Sequence, residues 1–93
     1  DGQIYEGEFK KGKLHGKGTM NYTDGRRYEG NYKNNNRDGY GVMVYPEKGM
    51  YQEGSHYEGE WKNDKRHGQG VMTYQDDGRS LKGEFKENVF IGN

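Results

Sequence analysis

The sequence predicts an all-β protein, an elongated antiparallel β-meander of repeated hairpins with no sizeable helix. Three observations support this prediction: glycine is abundant, aromatic and charged residues alternate, and one pattern recurs along the chain. Glycine makes up 17 of the 93 residues, and glycine at this density destabilises helices too much for a helix bundle. Alternation with a period of two is typical of strands whose two faces meet different surroundings.

Composition excludes several other classes of protein. The chain has no Cys, which excludes a small domain held together by disulfides. Its 15 basic and 15 acidic residues cancel, whereas nucleic-acid-binding domains usually carry a basic excess. No apolar run approaches the about 18 residues of a transmembrane helix. Only 27% of the residues are hydrophobic, yet 14% are aromatic, so we expect a thin folded domain with a core of aromatic rings.

The recurring pattern divides the chain into four units. In each unit a Gly follows the first residue by two positions, an aromatic residue by four and a Lys by five. The first-arm residues are Tyr5, Gly7, Phe9 and Lys10; Tyr28, Gly30, Tyr32 and Lys33; Tyr57, Gly59, Trp61 and Lys62; and Leu81, Gly83, Phe85 and Lys86. Chance does not produce this register repeatedly in so short a chain, and such repeats are typical of stacked, solenoid-like architectures.

Each unit is predicted to be a β-hairpin. The first arm of unit one alternates Tyr5, Gly7 and Phe9 with glutamates, and a polar stretch from Lys10 to His15 suits a turn. The second arms carry a Met and a Tyr at matching positions: Met20 and Tyr22, Met43 and Tyr45, and Met72 and Tyr74. The units are joined at Asp24-Gly25, Glu53-Gly54 and Asp77-Gly78, and Asp-Gly pairs favour tight turns. Consecutive hairpins of this kind predict a single twisted sheet.

The alternating glycines suggest how a single sheet can form a core. An aromatic ring can lie over the bare backbone of a neighbouring glycine, so a ladder of rings replaces the usual two-layer core. The predicted ladder consists of Tyr5, Phe9, Tyr28, Tyr32, Tyr57 and Trp61. We therefore expect alanine in place of Gly30 or Gly59 to push an overlying ring away.

The stretch from Tyr57 to Gly70 reads Tyr-Glu-Gly-x-Trp-Lys, four further residues, and His-Gly-x-Gly. This spacing resembles the MORN repeat (membrane occupation and recognition nexus). The resemblance covers residues 1–93 as one module, with full units starting at Tyr5, Tyr28 and Tyr57 and a partial unit at Leu81. It implies a rod- or groove-shaped β-meander without catalytic residues, acting as a scaffold of the kind found in cilia and at membrane junctions. Because the sequence begins at Asp1, we also expect it to be a fragment of a longer protein.

The expected function is a non-catalytic module for protein–protein interaction, without cofactor, small-molecule substrate or nucleic acid. A helix or extended segment of a partner, or a second copy of the chain, would lie along the aromatic face. The candidate partner-binding residues are Met20, Tyr22, Met43, Tyr45, Met50, Tyr51, Met72 and Tyr74. Met50 and Tyr51 belong to an insertion after Tyr45, which fits either a binding loop or a long loop without a role.

Catalytic and metal-binding patterns are weak. His15 and His67 occupy the same repeat position, but carboxylates or thiols suited to a metal do not cluster with them, so we expect them to pack at hairpin tips. The glutamates recur as outward strand positions rather than as a catalytic pair. Gly16-Lys17-Gly18 lacks the spacing of a phosphate-binding loop.

A basic rim is predicted from Lys10, Lys33, Lys62 and Lys86, which recur once per unit. Three interpretations remain open: a solvated rim that keeps sheet edges apart, a contact with an acidic protein, or binding to anionic phospholipids. Peripheral membrane tethering through these lysines is thus the alternative function. The expected location is the cytoplasm, at the cytoskeleton or a cilium or on the cytosolic face of a membrane.

Overall fold

A computed structural model describes residues 2–46, 55–74 and 78–92, and within them the chain forms eight strands and no helix. The strands are β1 (Ile4–Lys10), β2 (Lys13–Asn21), β3 (Arg27–Lys33), β4 (Asn36–Val44), β5 (His56–Lys62), β6 (Lys65–Thr73), β7 (Ser80–Lys86) and β8 (Val89–Gly92). They form one antiparallel sheet in chain order. The predicted all-β meander of hairpins is therefore confirmed.

The hairpin arms are joined by two-residue turns in which both residues have positive φ. The turn residues are Lys11 and Gly12, Asn34 and Asn35, Asn63 and Asp64, and Glu87 and Asn88. Two consecutive residues with positive φ make a type I′ turn, whose twist matches that of the flanking strands. Asn, Asp and Gly tolerate this conformation best. The loop predicted from Lys10 to His15 is thus shorter than expected, because β2 already begins at Lys13.

A row of glycines crosses the sheet from β1 to β7. Glycine is paired with glycine in six successive strand pairs, through Gly7, Gly18, Gly30, Gly41, Gly59, Gly70 and Gly83. A Cβ added to Gly41 or Gly70 would meet the ring of the first tyrosine of the same hairpin first, whereas one added to Gly30 or Gly59 would first meet the backbone of the opposite glycine. The rings therefore lie mainly over the second-arm glycines, while their hydroxyls also come within 2.8 Å of a Cβ added to Gly30 or Gly59.

In units one to three, a hydrogen bond from the hydroxyl of the first tyrosine holds that side chain across the row of glycines. The pairing register shifts immediately after the first-arm glycine, as between Gly7 and Phe9, and a bulge of this kind leaves a carbonyl outside the ladder. The tyrosine hydroxyl donates to that carbonyl: Tyr5 to Glu8 at 2.8 Å, Tyr28 to Asn31 at 2.9 Å and Tyr57 to Glu60 at 2.8 Å. The bulge thereby orients the ring over the glycine backbone.

The core is a continuous chain of edge-to-face rings. In spatial order the rings are Phe9, Tyr5, Tyr32, Tyr28, Trp61, Tyr57, Phe85 and Phe90. Neighbouring centroids lie between 5.0 and 5.4 Å apart, the range in which aromatic pairs attract. The buried hydrophobic residues are Tyr28, Tyr32, Met43, Tyr57, Trp61, Met72 and Phe85.

Phe9 departs from the expected buried ladder because it is 62% exposed. In units two and three the second ring of the unit contacts its own first tyrosine and also the first tyrosine of the preceding unit, as Trp61 contacts Tyr57 and Tyr28. Phe9 lies on the edge strand β1 and contacts only Tyr5 among these rings. Burial in the ladder therefore requires a preceding hairpin.

Candidate functional site

The sheet has two chemically different sides. We call the side that holds Tyr28, Tyr57 and Trp61 the aromatic face. We call the opposite side, which carries the alternating residues such as Glu29 and Glu58, the outer face. A partner can meet either face, and the predicted site residues are divided between them.

Three partly exposed tyrosines form a row on the aromatic face, which we call the tyrosine row. They are Tyr22, Tyr45 and Tyr74, and all three pack against the buried core. Each has an arginine beside it. The Cζ atom of Arg26 lies 4.3 Å from the Tyr22 ring centroid and that of Arg79 4.6 Å from the Tyr74 ring centroid, while Arg66 Nη1 donates to Tyr45 Oη at 3.2 Å. The row therefore combines apolar ring surface with hydrogen-bonding groups.

The candidate methionines are not equivalent. Met43 and Met72 are only 1% and 3% exposed, because each lies between strands that carry buried rings. Met43, for example, is paired with Tyr28 on one side and Tyr57 on the other. Met20 is partly exposed, so it alone of the three methionines offers surface beside the tyrosine row. Met50 and Tyr51 lie outside the described residues.

Hairpin tips are locked to the preceding hairpin by the second turn residue. The Asn35 amide donates to the Leu14 carbonyl at 3.0 Å, and Asn35 Oδ1 accepts from the Leu14 amide at 2.9 Å. Asp64 repeats both bonds with Arg37, at 3.0 and 2.8 Å, and Asn88 repeats them with Arg66, both at 3.0 Å. These locks fix the spacing between neighbouring hairpins at the tip edge of the sheet.

The arginines strengthen two of the three locks. Arg37 Nε lies 3.1 Å from Asp64 Oδ1, and its Nη2 donates to the Asp64 carbonyl at 3.0 Å. Arg66 Nη2 donates to the Asn88 carbonyl at 2.9 Å. The sequence analysis did not predict these locks. The signal for them was the Asn or Asp at the second turn position of units two to four, where unit one has Gly12.

The four lysines of the predicted basic rim, Lys10, Lys33, Lys62 and Lys86, are all exposed. Each follows an aromatic-face ring in its strand, so alternation places it on the outer face, beside a hairpin tip. Lys33 and Lys62 line a surface cleft of about 560 Å³ between the second and third tips, together with Asp38 and His67. The basic rim and the tyrosine row are therefore separate surfaces on opposite faces.

Burial keeps the core tyrosine hydroxyls protonated up to a higher pH than usual. Burial is the main cause that raises the pKa of Tyr57 to about 12 and the pKa of Tyr28 and Tyr32 further still. The Tyr28 and Tyr57 hydroxyls, which are protonated at neutral pH with or without this shift, donate to the bulge carbonyls. Their perturbed pKa values follow from packing in the ladder.

The three histidines do not belong to a cluster of metal-binding side chains. His15, His56 and His67 are each partly exposed, and residues 2–46, 55–74 and 78–92 contain no group of three or more His, Asp or Glu arranged for a metal ion. The described part of the chain also contains no helix long and apolar enough to cross a membrane.

An open sheet of stacked hairpins, each locked to its neighbour and sharing one ladder of rings, defines a β-hairpin repeat protein. A family model described as the MORN repeat matches residues 5–26, 28–50 and 57–79. These segments make up more than half of the chain, which belongs to the MORN-repeat family. A search of curated proteins found no match.

MORN repeats are generally non-enzymatic modules that interact with proteins or lipids. The unit beginning at Leu81 lies beyond the matched segments, yet its strand β7 continues the same sheet and pairs Gly83 with Gly70.

Proposed function

We propose that the chain is a non-catalytic scaffold module that binds a partner protein, as a helix or extended segment, along the tyrosine row. One observation supports this most directly: the same repeat position supplies Tyr22, Tyr45 and Tyr74, and all three remain partly exposed above a buried core. Tyr and Arg are enriched at protein interfaces, because a rigid ring and a forked donor lose little freedom on binding.

The spacing of the row favours an elongated ligand. Successive tyrosines lie two strands apart, which corresponds to about 9.6 Å for a strand spacing of about 4.8 Å. A helix rises by about 10.8 Å in two turns, so apolar residues seven positions apart could meet consecutive rings.

The experiment compares two matched triple variants. Tyr22→Ser, Tyr45→Ser and Tyr74→Ser together should abolish capture of a partner from cell extract, which is then identified by mass spectrometry and titrated in purified form. The control variant, Glu6→Gln, Lys82→Gln and Glu84→Gln, changes only the outer face and should bind as the original chain does. Equal binding by both variants would contradict the proposal, provided that circular dichroism shows both to be folded.

A second copy of the chain is the alternative binding partner for the tyrosine row. Light scattering across concentration distinguishes it from a foreign partner, because self-association raises the mean mass with concentration. If the copies meet through this surface, the serine variant should remain monomeric at every concentration. A dimer that persists in that variant would exclude the tyrosine row as its interface.

Peripheral membrane tethering is a second candidate function, favoured by the exposure of Lys10, Lys33, Lys62 and Lys86 along one rim. Each charge near an anionic surface contributes about 1 kcal/mol. Sedimentation with vesicles containing or lacking phosphatidylserine tests this function. Binding should require the anionic lipid, weaken with salt and be lost on Lys33→Glu with Lys62→Glu, but not on Lys17→Glu. Binding that is equal with and without the anionic lipid would contradict tethering.

We further propose a cytoplasmic location, in a cytoskeletal or ciliary assembly or on the cytosolic face of a membrane. This proposal is supported by the membership of the MORN-repeat family. A fluorescent fusion expressed in a ciliated cell tests it. Co-localisation with the axoneme or cytoskeleton that is lost in the serine variant would support it, and a diffuse signal in both would contradict it.

A further inference from the structure

The middle of the sheet carries exposed apolar residues on strand β4. Among the described residues, the other large hydrophobic side chains that are exposed lie in the edge strands β1 and β8, where a neighbouring strand is missing on one side. Tyr40 and Val44 are 50% and 45% exposed, although β4 has a paired strand on both sides. Their exposure therefore results from the face on which they lie rather than from an edge.

Tyr40, Val42 and Val44 form a line on the outer face, which we call the β4 stripe. By alternation their side chains lie on the face of the sheet opposite to that of the buried Met43. Unit one has Lys17, Thr19 and Asn21 at the same positions, and unit three has Gln69, Val71 and Thr73. These strands pair as β4 does, with glycine against glycine. The sheet therefore forms with mostly polar residues at these positions, and folding alone does not explain the β4 stripe.

Carboxylates flank Tyr40 and Val42, whereas Val44 is paired with Arg27, whose Nη1 forms an exposed ion pair with Glu29 Oε1 at 3.6 Å. Val42 is paired with Glu29 on β3 and with Glu58 on β5, and Tyr40 is paired with Glu60. Tyr40 Oη donates to Glu58 Oε2 at 2.5 Å, which holds one carboxylate beside the stripe. A depression of about 410 Å³ adjoins Tyr40, Val42 and Glu29. Three carboxylates and the two cations Arg27 and Lys17 leave this border with a net negative charge. It is therefore complementary to apolar side chains bordered by positive charge.

We propose that the β4 stripe binds a basic segment of a partner protein, whose apolar side chains cover the stripe while Lys or Arg residues reach Glu29 and Glu58. The stripe spans about 13 Å from Tyr40 to Val44 at about 3.3 Å per residue. A helix of about nine residues has this length, and its residues i, i+3, i+4 and i+7 present one apolar line. This surface lies on the face opposite the tyrosine row, so it is a second docking site beyond the proposed function.

The test uses a synthetic peptide of about 15 residues, made of Leu and Lys at amphipathic helical spacing, and a control peptide in which every Lys is Glu. Fluorescence anisotropy measures binding to the full chain, and amide chemical shifts locate it. The Lys peptide should bind, more weakly as salt increases, and shift the amides of β3, β4 and β5. The Glu peptide should not bind, and the ring signals of Tyr22 and Tyr74 on the aromatic face should not shift.

Variants taken from the repeat itself separate this site from general charge attraction. Val42→Thr with Val44→Asn introduces the residues of unit one and should weaken binding about 10-fold or more. Val71→Thr, the matched change in unit three, lies two strands from Val42 and beside Glu58, and it should weaken binding much less than the double variant does. Glu58→Gln should weaken binding and reduce its salt dependence, whereas Glu84→Gln on the remote strand β7 should not.

The serine variant of the tyrosine row should bind the Lys peptide as the original chain does, so failure of this site and failure of the proposed function can be told apart. Absence of binding, equal binding of both peptides, or shifts centred on the Tyr22 and Tyr74 ring signals of the aromatic face would overturn the proposal. So would unchanged affinity in the Val42 and Val44 double variant when circular dichroism shows it to be folded.

Discussion

Units one and three follow the same sequence pattern, yet they differ in how deeply equivalent residues are buried. Trp61 is 4% exposed, whereas Phe9 at the same repeat position is 62% exposed. Met72 is buried, whereas Met20 is only partly buried. Within the part of the chain that the structure describes, unit three has a hairpin on each side and unit one has a hairpin on one side only. The core therefore forms between units rather than within them, as expected for a repeat protein.

The hydrogen bonds at the junctions between units also favour unit three over unit one. The first lock joins Asn35 to Leu14 through two hydrogen bonds. The second joins Asp64 to Arg37 through the same two bonds and two more from the guanidinium group. Charged hydrogen bonds are stronger than neutral ones. The junction of units two and three should therefore be the more stable one.

The largest expected effect comes from truncating the ladder at matched positions. Trp61→Ala removes a buried ring that contacts Tyr28 and Tyr57 and donates a hydrogen bond to the Gly41 carbonyl at 3.2 Å. It should lower the free energy of unfolding by roughly 3–5 kcal/mol. Phe9→Ala should cost less than about 1 kcal/mol because that ring remains largely in water. Chemical denaturation measures both, and equal losses would contradict a core built between units.

The fold could be predicted almost completely from the sequence because each part of the pattern has a local cause. The period of two gives strands, the alternating glycines make room for rings, and the short polar segments give turns. The exposure of Phe9 could not be predicted in the same way. Burial at this position depends on a preceding hairpin, whereas a repeat pattern predicts the same burial for every equivalent position.

The candidate site was predictable only in part, and the methionines show why. Alternation assigns Met43 and Tyr45 to one side of the sheet, but it does not say which of them lies under its neighbours. Met43 is enclosed by Tyr28 and Tyr57 on both sides, whereas Tyr45 lies at the end of β4 and remains partly exposed. The tip locks were also missed, because a bond from Asp64 to Arg37 joins residues 27 positions apart.

A smaller effect should come from adding a methyl group to the glycine row. Gly59→Ala would place a Cβ against the backbone of Gly70, within a hairpin that has neighbours on both sides. We expect it to destabilise the fold by roughly 1–3 kcal/mol, as overpacking does. Gly7→Ala meets the backbone of Gly18 in the same way, but the edge strand β1 can move outward, so its cost should be lower. Thermal denaturation of both variants measures the difference, and a larger loss for Gly7→Ala would argue against outward relaxation of β1.

The tip locks should give the next effect. Asp64→Ala removes the acceptor for the Arg37 amide and Nε, whereas Asn35→Ala removes only the acceptor for the Leu14 amide. Both positions have positive φ, so the backbone penalty of alanine is shared and cancels in the comparison. We expect losses of about 2 and about 1 kcal/mol. Asp64→Asn keeps a neutral acceptor and should fall between them in urea denaturation. Equal losses for the two alanine variants would mean that the guanidinium group adds nothing.

The last effect concerns the ionisation of Tyr57, which leaves stability at neutral pH unchanged and acts only in alkaline solution. Burial raises the pKa of Tyr57 from 10.0 to about 12, so the folded chain holds this proton more tightly than the unfolded chain does. The resulting stabilisation is complete below about pH 10 and is lost as the pH rises through about 12. The melting temperature should therefore be insensitive to this group up to about pH 10 and fall above it. Tyr57→Phe should make that fall shallower, whereas Tyr5→Phe in the more open first unit should change it less, because burial raises the pKa of Tyr5 to a smaller extent. If the two variants had the same slope above pH 10, the first and third units would not differ in how strongly they exclude water from the ladder.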